Sequence, residues 1–562
     1  MLRLRTLLLS PDWRWVATIA LGLYVFAMLA MSYWGGLATG ISFPEPRHNW
    51  RMQTFLTDGY YLPGLSGVGL DQVRGKIFVY GPAYSAIAHF ANFITGNETW
   101  FSVSGTAEAY AVRHIVLATI GLVAVAAVAW TVRLATRSWR FGLLGAAILL
   151  SIAQWTGETM FNSKDVTVAT GFTLITAGFV AIATQRDRSD RVQFRLGIAS
   201  LTLGTFLAMG VRLGMWPAIL IDLLVLCLTL FWFGDRKDSQ AIRPLSKIGF
   251  VLGAVTAAYG LLAMLYPAVF LHPVEVFVGS FSSSSAFPWN GHVLTNGSQI
   301  SMPPPLSYLP LWFGAQLPLY VIFLVAAGVV HAGWRVIERI SKRKTVNSAT
   351  DRELTGLLFV GVQLTVYPVA AVVLHATIYG GFRQLTMVLP AAAMISAIAL
   401  HALWKRLETK RAPFKAVAAA LITLSLLDMG VSQALLFPHN TNYFNQVAVA
   451  GGINGRWEVD KRLLSFREAA TIIPSEYRDR CGSYVAETEE FIPCSENKFV
   501  APFWNETDGS DIVAPLADDE YISFSNTKGA GECRPYLSVN RPLYWSTLEV
   551  RTIYACRLID TE

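Results

Sequence analysis

Charge is scarce in this chain. Only 15% of its 562 residues are Asp, Glu, Lys or Arg, against 53% hydrophobic residues, and the mean hydropathy is +0.43. That balance excludes an ordinary soluble domain and marks an integral membrane protein. Cysteine is scarce too. There are five, with no C-x-x-C pair, which argues against a thiolate zinc site. The chain has no internal repeat and no low-complexity tract, which leaves no solenoid to consider. No small-residue cleavage site follows the first apolar run, so that run reads as an uncleaved anchor.

Eleven apolar runs are long enough, or nearly so, to cross the hydrocarbon core. They lie at about 15–36, 109–132, 141–156, 166–184, 196–211, 213–233, 248–271, 306–333, 354–376, 385–403 and 416–437. The net charge of +7 could suggest a nucleic-acid partner, but its placement identifies a topology signal. With the N-terminus cytoplasmic, five short loops (133–140, 186–195, 236–247, 335–352 and 405–415) carry 22 Lys or Arg. The short loops of opposite parity carry only Lys164, Arg212 and Arg383. Lys and Arg concentrate on the cytoplasmic side of membrane proteins, so this asymmetry sets orientation and implies no nucleic acid.

The first outer loop (37–106) and everything from Pro438 onward then lie outside the cytoplasm. Cys481, Cys494, Cys533 and Cys556 all fall in that tail, while Cys227 is alone in a span. An even set in one exported segment reads as two disulfides in an oxidising compartment. Three connectivities are open, and proximity in sequence favours Cys481–Cys494 and Cys533–Cys556. The chain therefore divides into a polytopic α-helical membrane domain (1–437) and a soluble α+β, β-rich extracytoplasmic domain (438–562). In the first outer loop, "GKIFVYGPAYSAIAHFANFITG" is too short and interrupted to span, and reads as a helix in the interface plane. The loop 272–305, rich in Ser, Gly and Pro, reads as irregular.

The stretch "FNSKDVTVATGF" (161–172) sets Asn162, Lys164 and Asp165 at an outer span boundary. A charge at bilayer depth costs about 2.5–3.5 kcal/mol on insertion scales, so such groups sit in water or in a site. Cations that survive on the depleted face need a reason. A phosphate supplies one, because Arg binds its oxygens bidentately and Lys binds as a point charge. A phosphate at the surface with an apolar tail between spans suggests a polyprenyl phosphate, beside carboxylates able to act as a base. For any one residue, snorkelling or a structural ion pair is the plainer reading. Asp222 and Asp428 lie mid-span, where an interhelical hydrogen bond is favoured over a proton relay.

Further stretches occur in order: "EPRHNWRMQ" after the first span, "AMGVRLGMW", "FPWNGHVLTNG", "YLPLWF", "LHATIYGGFRQ" and "NYFNQVAVAGGINGRWEVD". With "FNSKDVTVATGF" they resemble bacterial GT-C membrane glycosyltransferases, the group related to dolichyl-phosphate-mannose–protein mannosyltransferases and the aminoarabinose transferase. The resemblance covers most of the chain to about Asp460. It implies a multi-pass protein of the bacterial inner membrane, N-terminus cytoplasmic and C-terminal domain periplasmic. It also implies an outer-face active site, a lipid-phosphate sugar donor and inversion at the anomeric carbon. Two departures stand out. Pro44-Glu45-Pro46 replaces the family's Asp-Glu-Pro, and Tyr379-Gly380-Gly381-Phe382-Arg383-Gln384 replaces Tyr-Asp-Gly-Trp-Arg-His.

The expected function is transfer of a sugar from a polyprenyl-phosphate donor to an acceptor hydroxyl. Glu45 would take the acceptor proton, His48 would assist, and Asp165 would orient Lys164 or serve as the alternative base. Lys164, Arg212 and Arg383 would hold the phosphate, with Asn162, Tyr379, Trp289 and Asn290 lining the substrate pocket. The expected partners are a lipid-linked sugar in the membrane and a cell-envelope glycan, glycolipid or protein acceptor. No cofactor and no metal site are expected, although some relatives use a divalent metal. A flippase for a lipid-linked saccharide would instead show broken spans in paired halves and midplane charges. A catalytically silent GT-C-like binding protein would account for the two departures.

Overall fold

The computed structural model describes residues 11–58, 80–185, 190–232, 243–285, 287, 289, 291–341, 348–407, 412–473, 475–485, 490–504, 516–517, 519–524 and 533–557. Among them, ten helices are long and apolar enough to cross a membrane, from Trp15–Ala38 to Pro413–Leu436. The third apolar run folds instead as two successive pieces, Trp139–Ser151 and Ala153–Glu158, broken at the extended backbone of Ile152. Such a break frees carbonyls that lipid cannot satisfy. The Gln433 amide donates to two of them, on Leu150 and Ser151, at 3.2 Å each. The eighth run also divides, into Tyr308–Gln316 and Leu319–Ser341, because Pro318 disfavours helix in the residue before it.

The helix Ser163–Thr184 runs through the middle of the bundle, almost wholly buried, and packs along Arg191–Val211. Small residues allow the close approach. A Cβ on Gly171 would lie 2.6 Å from the Ala208 nitrogen, and one on Gly204 would lie 2.6 Å from the Gly171 oxygen. Asn162 caps this helix, its Oδ1 accepting from the Asp165 backbone at 3.2 Å, and Asp165 sits in the first turn where the dipole favours an anion. The polar boundary of "FNSKD" thus stands at the centre of one end of the bundle.

Around that end lie several connecting segments. Ala83–Ile94 is amphipathic: it buries Ala83, Tyr84, Ala88, His89 and Asn92 and turns Ile87, Phe90, Phe93 and Ile94 outward. The loop 272–305 is more ordered than its composition suggests. It holds a helix, Pro273–Ser285, and a hairpin of His292–Thr295 with Ser298–Ser301. Asn296 (φ 49°) and Gly297 (φ 85°) supply the left-handed pair that a two-residue turn requires.

The tail carries a three-stranded antiparallel sheet in which Ser546–Arg557 lies between Glu520–Ser523 and Cys533–Leu543. Both expected disulfides, Cys481–Cys494 and Cys533–Cys556, are present, and Cys227 is free. Tyr443, Phe444, Trp457 and Ile553 belong to the same apolar core as the spans, so the core does not divide at 437. Asp428 accepts from Gln446 Nε2 at 3.1 Å and the Tyr544 hydroxyl at 3.4 Å. Asp222 is buried with its Oδ1 unpaired.

Candidate active site

Arg383, Lys461 and Arg462 converge on a small polar cleft whose walls include Gln154, Glu158, Gln316 and Asp460. Two glycines make room for the cations. Gly380 and Gly381 have φ of 69° and 72°, where only glycine sits without strain. A Cβ on Gly380 would lie 2.9 Å from Arg383 Nε, and one on Gly381 would lie 2.8 Å from Lys461 Nζ. An acid at 380 would sit on a left-handed backbone and press on the Arg383 side chain, which would have to shift.

Aromatic rings fix the cations. The Arg383 guanidinium lies 4.7 Å from the Tyr379 ring centroid, and its Nε donates to the Tyr379 carbonyl at 3.3 Å. Tyr379 in turn stacks on Trp289 at 4.5 Å. Lys461 Nζ sits 3.5 Å over Trp312, whose indole N–H donates to Thr295 Oγ1 in the hairpin. Cations over ring faces are attracted by the ring quadrupole, so each head group is aimed without being neutralised.

Behind the cleft, Asp165 acts as a bridge. Arg212 Nη2 donates to its Oδ1 at 2.5 Å, and Arg462 Nη2 and Asn162 Nδ2 donate to its Oδ2 at 3.5 and 2.8 Å. A carboxylate so occupied is a counter-ion and a poor base. Asn162 Nδ2 also donates to Glu158. Lys164 Nζ lies 4.2 Å over the Tyr80 ring and interacts electrostatically with Asp165, Arg212, Arg383 and Arg462.

This arrangement leaves excess positive charge out of water. Burial, with Arg383 alongside, pushes Lys461 down to about 7 even though Glu458 and Glu158 oppose the shift. Burial and Arg383 likewise lower Arg462 to about 10. Burial raises Glu158 against the pull of Arg462. Arg212 Nε and Arg462 Nε are buried without a hydrogen-bond partner. Cations destabilised by desolvation and by one another gain most from a bound anion.

Glu45 and His48 line a second cavity with Asn49, His89, Glu98 and Arg113, and Ser163 forms part of its wall. Glu45 is only 5% exposed. Its Oε2 accepts from the Ser42 backbone at 2.6 Å, and its Oε1 meets His114 Nε2 at 2.8 Å. His114 Nδ1 faces the Gly36 carbonyl at 2.8 Å. A carbonyl only accepts, so Nδ1 carries a hydrogen and Nε2 is the atom turned to Glu45. Burial, reinforced by Lys164 and Arg51, holds His48 well below its ordinary value, so its ring is neutral.

The structure thus brings Arg383 to the cleft and sets Lys164, Arg212, Asp165 and Asn162 one layer behind it. Tyr379 and Trp289 back Arg383 and do not line the cleft, and Asn290 lies outside the described residues. Sequence reasoning missed Glu158, Lys461 and Arg462. Its available signal was "WEVDKR", two adjacent cations soon after the last span on the depleted side. Among the described residues no group of three or more His, Cys, Asp or Glu is placed to hold a metal ion.

No family model matches the chain, and no curated protein matches it. Among solved structures it is similar to ArnT from Cupriavidus metallidurans bound to undecaprenyl phosphate, with 14% identity and a TM-score of 0.45, covering 96% of this chain and 98% of that one. The likeness is one of fold. The same protein in its apo state gives 14% identity and a TM-score of 0.45 over 88% of this chain and 85% of that one. The Archaeoglobus fulgidus oligosaccharyltransferase, in a complex with zinc and sulfate, gives 13% identity and a TM-score of 0.40 over 81% of this chain and 55% of that one.

Proposed function

We propose that this chain is a GT-C type membrane glycosyltransferase. It moves a sugar from a polyprenyl phosphate to an acceptor hydroxyl on the outer face of a bacterial inner membrane, with inversion. The observation that carries this reading is the charge imbalance of the cleft. Arg383, Lys461 and Arg462, backed by Lys164 and Arg212, outnumber Glu158, Asp165 and Glu458, while the remaining carboxylate, Asp460, is paired with Arg551. A phosphate ligand would offset that imbalance.

In the reaction the acceptor oxygen bonds to the anomeric carbon as the bond from that carbon to the phosphate oxygen breaks. The leaving group is the polyprenyl phosphate, and its developing charge is what the cleft cations stabilise. Preorganised electrostatics of this kind is usually the largest catalytic term. The acceptor proton goes to Glu45, with His114 held against its Oε1 and neutral His48 beside it. Arg383, Lys461 and Arg462 make the direct phosphate contacts, and Lys164 and Arg212 act through Asp165 and at longer range.

The test is sugar transfer by Glu45→Gln in membranes, measured beside its donor affinity. A positioned base gives about 10²–10⁴-fold, so turnover should fall by that much while donor binding stays near the parent's. Glu158→Gln is the companion variant, because Glu158 lines the cleft itself. A turnover loss confined to Glu158→Gln would move the base there. A parent that binds donor yet transfers nothing would favour the silent-scaffold reading.

A further inference from the structure

Lys461 and Arg462 sit on a short loop that the C-terminal sheet holds from behind. Arg551, on the central strand Ser546–Arg557, donates to Asp460 Oδ2 from Nη2 at 2.6 Å and from Nε at 2.9 Å. Its Nε also reaches Ser465 Oγ at 2.7 Å, its Nη1 donates to the Phe524 carbonyl at 3.1 Å, and its guanidinium lies 4.5 Å from the Phe466 ring centroid. Asp460 accepts from the Ser465 hydroxyl as well, so its carboxylate closes the loop at both ends. Asp460, Arg462 and Ser465 are all buried.

The loop between them is backbone-strained. Asp460 has φ 42° and Leu463 has φ 64°, values that L-residues adopt only when their surroundings impose them. The same loop reaches the segment before Glu45. The Arg462 carbonyl accepts from the Phe43 backbone at 3.0 Å, and a Cβ on Gly40 would lie 2.4 Å from the Leu464 oxygen. The sheet, the cation pair and the Glu45 segment therefore meet on six residues.

We propose that the Arg551–Asp460 pair is a latch through which the C-terminal sheet holds Lys461 and Arg462 in the phosphate cleft, making Arg551 and Asp460 positioning residues. The latch rests on the phosphate reading of the cleft given above. Without it, the loop relaxes from its left-handed turns and both cations leave the geometry that Arg383 completes. The sheet is then part of the site, and a chain ending before the strand Ser546–Arg557 would lack it.

The test uses the full chain in nanodiscs with undecaprenyl phosphate as probe, comparing the parent with Arg551→Gln, Arg551→Lys and Asp460→Asn. Arg557→Gln serves as control, since it removes an exposed ion pair to Asp519 at the end of the same sheet. Hydrogen exchange over 460–465 and the melting temperature are read in parallel. The latch predicts a loss of lipid affinity of about tenfold or more in Arg551→Gln and Asp460→Asn. It also predicts faster exchange confined to the loop, partial recovery in Arg551→Lys and a parent-like control. If Arg551→Gln does not fold, Arg551→Lys carries the comparison, because a single ammonium cannot span Asp460, Ser465 and the Phe524 carbonyl together. Parent-like affinity and exchange in the folded variants would overturn the latch alone. A parent that does not bind the lipid would remove the phosphate reading first.

Discussion

At the scale of single residues, Lys461 gives the clearest prediction. Its ordinary value of 10.5 is lowered to about 7 by burial, and the charged groups facing it are Glu458, Arg383, Glu158 and Arg462. A phosphate monoester is already largely doubly charged above about pH 6, so the lysine governs the alkaline side. Affinity for undecaprenyl phosphate should fall as pH rises above about 7, by up to about tenfold per unit. Lys461→Met should remove that dependence. Stability of the ligand-free protein runs the other way. Between about 7 and 10.5 the unfolded chain holds a proton that the folded chain does not, so stability rises with pH across that window. A flat affinity profile in the parent would take Lys461 out of the phosphate contacts. This residue was hard to find from sequence because topology assigned it to the tail, where no depletion of cations was being counted. Lys164 and Arg212, in short loops, stood out for that reason.

At the scale of elements, the glycine pair before Arg383 decides the shape of the cleft. Gly380→Asp restores the acid of the GT-C pattern, but it places a side chain at φ 69° against Arg383 Nε. The strain alone is about 1–2 kcal/mol. The variant should therefore lose donor affinity and melt lower than the parent. A gain in transfer activity would show that the acid, and not the glycine, is what the site wants. Elements also show where sequence reading was sound. The helix Ser163–Thr184, the amphipathic helix Ala83–Ile94 and both disulfides were legible from periodicity, amphipathicity and cysteine placement. The loop 272–305 was misread as irregular, because its Ser-rich composition obscured "TNGS", which is a hairpin signal. The break at Ile152 was not legible, because Gln433, distant in sequence, satisfies the freed carbonyls.

At the scale of the whole molecule, loop charge predicts an orientation that labelling can test. Substituted-cysteine labelling in intact cells should reach Ser298→Cys, just after the hairpin turn, and spare Ser341→Cys, at the far end of its span. Labelling of the second and protection of the first would invert the topology and move the cleft to the cytoplasmic side. Non-reducing peptide mapping of exported protein should recover Cys481–Cys494 and Cys533–Cys556.

The central claim is that Arg383, Lys461 and Arg462 hold a lipid phosphate, and a structure of the full chain saturated with undecaprenyl phosphate tests it most directly. The account predicts phosphate density in the cleft within hydrogen-bond reach of all three cations, with the prenyl tail passing out between spans. An empty cleft at saturating lipid, or phosphate density away from these residues, would contradict it.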